Sequence, residues 1–354
     1  VKGLSPDESS EYLSILQTLR RSYPLYDMHV HPYEVLFDRF TYDNEVARGV
    51  LSLSGKSYAA PSVTKFQFPE MGNFSDEPRP QRLQDISVML LRKVYRNVGE
   101  QVFIDQMTLS GIDRVLLLPI APESCTPDEF GSRMRWVKRF YSNREKFWIA
   151  GSIPGALAGN EIGPYVCELK KEYGIRAIKC HPVVSGIDLS SSNRKEWMET
   201  VLGACHEAKL PLIIHGGRNN LYWGGSRGNF GSLENLENID MSISEEPVIL
   251  AHAGFHRCRI DEIEQVGLPM LDKMLKAHPN LCVDISGLGF EPLKLVLQSV
   301  NADRILFGSD ALYSPQWEAV TMTLHALKEL GMAMEENFLQ FASINPRKTI
   351  FKDR

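Results

Sequence analysis

A rhythm constrains this chain more than any other feature of its sequence: eight short apolar runs, each followed by residues at helical spacing. The runs are Leu25–His31, Arg114–Ile120, Phe147–Ile153, Ile175–His181, Leu210–His215, Val248–His252, Leu281–Ser286 and Arg304–Asp310. Each is β-branched-rich and closed by Gly, Pro, His or Asp, the pattern of a parallel strand buried on both faces. Between them, Leu271, Met274 and Leu275 form one apolar helix face. Val320, Leu324 and Leu327 form another at i, i+4, i+7. An amphipathic helix with Tyr12, Leu16 and Leu19 on its apolar side precedes the first run. Eight strands alternating with helices predict an α/β fold of the closed (β/α)8 TIM-barrel type. An open doubly wound sheet is the alternative, but no GxGxxG follows the first run, which weakens its dinucleotide-binding form.

The 354 residues suit one barrel carrying an insertion, so the chain reads as a single domain over 1–354. The rhythm breaks after Pro32, and the insertion spans 32–111. Phe37, Phe40, Tyr42, Tyr58, Phe66, Phe68 and Phe74 crowd its first half, and helices are predicted near Arg82–Asn97 and Glu100–Ser110. A long insertion after a barrel strand lies at the catalytic end, where it serves as a lid or pocket wall; a subunit contact or surface elaboration is the other reading.

Position carries the chemistry. His29 and His31 stand two apart at the end of the first run, so both side chains leave one face of a strand. A lone His-x-His is a common coincidence. Here, however, His181, His215, His252 and Asp310 each end a different run, and in a barrel those ends converge on one rim. Several imidazoles and a carboxylate on one rim suit a divalent transition metal, most simply Zn2+. His206, His278 and His325 fall on helices and loops and read as surface or packing residues. Alternation places Lys179 on the same strand face as Ala177 and His181. It is carbamylated and bridges two ions, or binds an anionic substrate group, or pairs with Asp27 or Asp284.

At these residues the sequence resembles the amidohydrolase superfamily. More narrowly, it is similar to the amidohydrolase-related branch that includes aminocarboxymuconate-semialdehyde decarboxylase and resorcylate decarboxylase. The resemblance runs from Asp27 to Lys348, carried by Asp27–Pro32, Gly174–Pro182, Leu210–Gly217, Val248–Phe255, Ile305–Tyr313 and Ile344–Phe351. It implies metal ligation by His29, His31, His215 and Asp310, and a catalytic role for His252 on water or substrate. The motifs are specific for the superfamily and much less so for any one reaction.

The expected activity is metal-dependent hydrolysis of a small carboxylated or cyclic organic substrate by a metal-activated water, with Asp310 accepting its proton. A non-oxidative decarboxylase or hydratase, a lyase on the same site, is the alternative. It would use Lys179, Arg218, Arg227 or Arg257 to hold a carboxylate. A non-catalytic ligand-binding barrel is a third reading. The loop Gly216–Asn235 offers Tyr222, Trp223 and Phe230 as a substrate cover, so Lys179, His181, Arg218, Trp223 and Arg227 are the expected substrate contacts. One ion is expected, or two if Lys179 is carbamylated. A net charge of −5 without a basic block argues against nucleic acid. No apolar run reaches the roughly 18 residues of a membrane span. Cys125, Cys167, Cys180, Cys205, Cys258 and Cys282 lack a CxxC pair and read as reduced thiols of a cytoplasmic protein. A homodimer is expected from the resemblance.

Overall fold

A computed structural model describes residues 6–32, 100–218, 225–313 and 315–351. Its strands are β1 (Tyr26–Val30), β2 (Arg114–Leu117), β3 (Phe147–Ile149), β4 (Gly151–Ser152), β5 (Ile178–Cys180), β6 (Leu212–Gly217), β7 (Val248–His256), β8 (Leu281–Asp284) and β9 (Ile305–Leu306). Every pairing among them is parallel, in the orders β1-β2-β3 and β4 through β9. β3 and β4 are halves of one run that changes partner at Ala150. The Ala150 N–H donates to Leu117 O, and the Gly151 N–H to Ala177 O on the other side. Met28, Asp310 and His31 N–H groups donate to Phe307, His29 and Ala311 carbonyls, so β1 meets the segment around β9. Eight strand runs thus close on themselves as the (β/α)8 barrel.

The helices between the runs are α1 (Pro6–Ser22), α2 (Glu100–Ser110), α3 (Pro127–Phe140), α4 (Gly159–Tyr173), α5 (Ser192–Ala208), α6 (Leu268–Ala277), α7 (Phe290–Ser299) and α8 (Gln316–Glu329). Their ends follow from local chemistry. Thr126 and Glu129 form a reciprocal capping box at the start of α3, with Pro127 in the first turn, satisfying donors that have no intrahelical partner. Gly174, left-handed at φ 66°, ends α4. Phe130, Met134 and Val137 of α3 then face the strands in the outer apolar layer. α2 matches the helix expected at Glu100–Ser110. The remainder of the aromatic insertion and the helix expected at Arg82–Asn97 lie outside the described residues.

Strand alternation sorts the remaining core. Leu212, Ile214, Val248, Leu250, Leu281 and Val283 point outward to the helices. Tyr26, Met28, Leu116, Leu118, Ala150, Ala177, Ile213, Ile249, Ala251, Cys282 and Leu306 form a separate inner cluster with Ile350 and Phe351. The Phe351 ring stacks on Tyr26 at 4.3 Å and lies 4.4 Å from Trp148, both near the strand starts, and the Arg176 guanidinium sits 4.4 Å over Trp148. The N-terminal end of the barrel is therefore filled with side chains. Above this apolar layer, the same inward positions turn polar, at Ser152, Lys179, His215 and Asp284, all buried. The six cysteines are free thiols. Among the described residues, no helix is long and apolar enough to cross a membrane.

Candidate active site

The site begins with an irregularity in β1. Its register with β2 shifts between Asp27 and Val30. Tyr26 and Met28 face the inner cluster, whereas beyond the shift His29 and His31 turn to the same interior. Asp27 points the other way and ties the barrel seam together. It accepts hydrogen bonds from the Ser309 N–H at 3.0 Å, Ser309 Oγ at 2.5 Å, Gln316 Nε2 at 2.6 Å and the His29 N–H at 3.1 Å. Burial pushes its carboxyl up to about 6, with those donors pulling it back down.

The hydrogen bonds decide where each imidazole keeps its proton. His29 Nδ1 faces Asp284 Oδ2 at 2.9 Å, and His31 Nδ1 faces the Leu118 carbonyl at 3.0 Å. A carboxylate and a carbonyl only accept, so both Nδ1 atoms are donors and both Nε2 atoms present bare lone pairs. Those Nε2 atoms stand 3.3 Å apart, with Asp310 Oδ1 at 3.3 Å from His31 Nε2 and 3.7 Å from His29 Nε2. Three buried electron-pair donors thus converge with no proton to share. Nitrogen ligands about 2.0–2.1 Å from a tetrahedral ion are themselves separated by about 3.3 Å, so His29, His31 and Asp310 fit a divalent metal of the zinc type.

A second chain of bonds runs through His252. Its Nδ1 donates to the Ser286 carbonyl at 2.7 Å, leaving Nε2 to accept from His215 Nδ1 at 3.2 Å. His215 Nε2 is then a lone pair, buried and without a hydrogen-bond partner among the described residues. His215 is thus bonded to His252 and is not among the three residues whose donor atoms converge. His181 stacks on His215 with ring centroids 3.9 Å apart. Lys179, on β5 one inward position before His181, is fully buried, and among the described residues its Nζ has no hydrogen-bond partner. The ion pair with Asp27 or Asp284 considered for it does not form. Asp27 is saturated by its four donors, and Asp284 is engaged by His29, Ser286 and the His252 N–H.

Electrostatics reinforce the neutral imidazoles. Burial, then the nearby Lys179 charge, holds His29 down to about 3 against the pull of Asp284. His181, His215 and His256 are held well below the ordinary range, chiefly by burial. Burial alone would raise Asp310; only protonated imidazoles at His31, His29 and His252 would hold it well below the usual carboxylate range. Lys179 is pushed down to about 8 by burial, with Asp284 and Asp310 acting the other way. The backbone is strained here too. His252 and Asp310 both adopt left-handed φ, at 57° and 58°, in a region non-glycine residues avoid unless their surroundings enforce it.

Two of the other expected substrate contacts are held by carboxylates. Arg218 pairs with Glu262 at 2.9 Å and Arg227 with Glu123 at 2.7 Å, so both guanidinium groups are already neutralised. Trp223 lies outside the described residues. Three residues of the site had little signal in the sequence. Asp284 was visible only as a partner for Lys179, whereas it accepts from His29 Nδ1 and from the His252 backbone N–H, and so orients both. Ser286 gave none. His256, whose ring lies 4.6 Å from His252 and 5.1 Å from His215, was hidden because the expected strand stops at His252 while β7 runs four residues further.

The Amidohydrolase family model matches residues 165–340, which hold Lys179, His181, His215, His252 and Asp310. The chain belongs to the amidohydrolase superfamily. No curated protein matches it by sequence. Among solved structures it is similar to 5-carboxyvanillate decarboxylase LigW from Sphingomonas paucimobilis, with a TM-score of 0.55, 13% identity, and coverage of 93% of this chain and 99% of that one. It is also similar to the apo form of Metarhizium anisopliae IDCase, with a TM-score of 0.54, 16% identity, and coverage of 93% and 97%. The 4-oxalomesaconate hydratase LigJ from Rhodopseudomonas palustris gives a TM-score of 0.53 at 16% identity, covering 92% and 94%. At such identities the likeness is one of fold. In this amidohydrolase-superfamily chain, the imidazoles and the carboxylate occupy the C-terminal ends of the strands, the face at which barrels of this type do chemistry.

Proposed function

We propose that this amidohydrolase-superfamily protein is a metal-dependent hydrolase acting on a small organic substrate. The observation that carries the reading is the convergence of His29 Nε2, His31 Nε2 and Asp310 Oδ1, three buried lone-pair donors whose protons are committed elsewhere. His29, His31 and Asp310 would hold the ion, with His215 Nε2 as a fourth donor. A divalent ion there supplies Lewis acidity, which polarises substrate and acidifies water. Asp310, the one carboxylate whose oxygen meets the His29 and His31 lone pairs, would accept a proton from the attacking water. His252 is fixed by Ser286 so that Nε2 is the atom it presents. Exchange of its bond to His215 for one to a reacting group puts that nitrogen on the substrate.

A lyase reaction is the second reading. The LigW, IDCase and LigJ relatives include a decarboxylase and a hydratase, and the unpartnered cation of Lys179 suits a substrate acid. The test is elemental analysis of protein purified without chelators, followed by turnover against parallel panels of esters, lactones, amides and unsaturated acids. About one equivalent of zinc or a similar ion is expected, absent from a His29→Ala/His31→Ala variant. Asp310→Asn should lower turnover by at least two orders of magnitude with the fold intact. Carbon dioxide release or hydration from the acid panel assigns the lyase. Full turnover in Asp310→Asn, or a site that takes up no ion, refutes the metal mechanism.

A further inference from the structure

We propose that Lys179 is the anion-recognition point of this site, holding a carboxylate of the substrate at the inner end of the barrel. β5 sends Ala177 into the inner apolar cluster and Lys179 to the next inward position, directly above it. The Lys179 side chain has no solvent exposure, and among the described residues its Nζ has no hydrogen-bond partner. A buried ammonium carries three donors and a charge, and leaving them unmet is among the more destabilising arrangements a core can hold. Structure does not require it, because an apolar side chain of similar length would fill the space.

The carboxylates that could neutralise it are engaged. Asp284 accepts from His29 on one oxygen and from Ser286 and the His252 N–H on the other. Asp310 faces the His29 and His31 lone pairs, and Asp27 turns outward to Ser309 and Gln316. Asp284 and Asp310 act on Lys179 through their fields alone, so a hydrogen-bond acceptor for its ammonium arrives with a ligand. A single ammonium, in place of a guanidinium fork, suits a carboxylate better than a phosphate dianion, which draws on several donors. Arg218 and Arg227 are held by Glu262 and Glu123. His181 lies on the same strand face, its Nδ1 accepting from the Val184 N–H at 3.4 Å. The substrate class that follows is a small organic acid whose carboxylate points inward and whose reacting bond lies toward the rim. The inference rests on the metal-centred reading only for the position of that bond; anion binding belongs to the protein itself.

Calorimetric titration of metal-free protein with benzoate, and with benzamide as its neutral counterpart, tests this without any turnover. Benzoate should bind the natural protein at least tenfold more tightly than benzamide, and Lys179→Met should abolish that preference. Should Lys179→Met fail to fold, Lys179→Gln carries the same comparison. An undiminished preference for benzoate in the variant overturns the proposal. So does a carbamate carbonyl signal in protein equilibrated with 13C-bicarbonate and metal, because the amine would then be covalently occupied. Neither result depends on whether the loaded protein is a hydrolase, so the two readings fail separately.

Discussion

Asp284 decides which nitrogen of His29 is free to bind an ion. It accepts from Nδ1 on one oxygen while the other holds three donors, the N–H groups of His252 and Ser286 and the Ser286 hydroxyl. In Asp284→Asn the carboxamide oxygen stays with the three donors, so its NH2 faces His29. That ring then moves its hydrogen to Nε2, and the metal-facing lone pair is lost. Metal affinity should fall about 10–100-fold with little change in fold, the usual effect of removing a ligand's orienting partner. Competition with a chelator of known affinity measures it, and unaltered affinity would show that Asp284 does not set the tautomer. The sequence disclosed the histidines and Asp310 because each ends a strand run. It could not disclose Asp284's task, since an inward acid one strand away looks the same whether it pairs with a lysine or steers an imidazole.

Among the elements, the turn after β8 is the most constrained by the site. Gly287 has φ 59°, and a Cβ there would lie 2.9 Å from Asp310 Oδ2 and 3.1 Å from His252 Nδ1. Gly287→Ala therefore adds backbone strain and pushes on two side chains that already hold left-handed backbone themselves. Bound metal should drop at least tenfold, while far-ultraviolet circular dichroism stays that of the parent. Retention of full metal occupancy would contradict the packing described. Gly308 plays a related part, since a Cβ there would come within 2.7 Å of His29 Cβ. The strand rhythm was legible because every run is a continuous apolar stretch. The ends were less so. β7 extends past His252 through left-handed residues at 252, 253 and 254, a geometry that no side-chain periodicity encodes, and His256 was overlooked with it.

For the molecule as a whole, the division between a dry lower barrel and a polar upper one organises everything above. Phe351, fully buried, closes the lower end against Tyr26 and Trp148. Phe351→Ala should destabilise the protein by about 3–5 kcal/mol, the range for removing a buried aromatic ring. Metal content of the folded fraction should not change, because the site lies beyond the inner apolar layer. Denaturant unfolding paired with elemental analysis separates the two effects, and a parallel loss of metal would show that the plug supports the site directly. The sequence foretold eight strands and their closure. It did not foretell this closing contact, which depends on a C-terminal ring meeting two residues over 200 positions upstream. The stopper also dictates traffic. A molecule that has reacted cannot leave by the far end, so it departs through the same mouth its successor must enter. Departure and arrival therefore exclude one another, and an excess of spent product slows the next cycle by standing in the doorway.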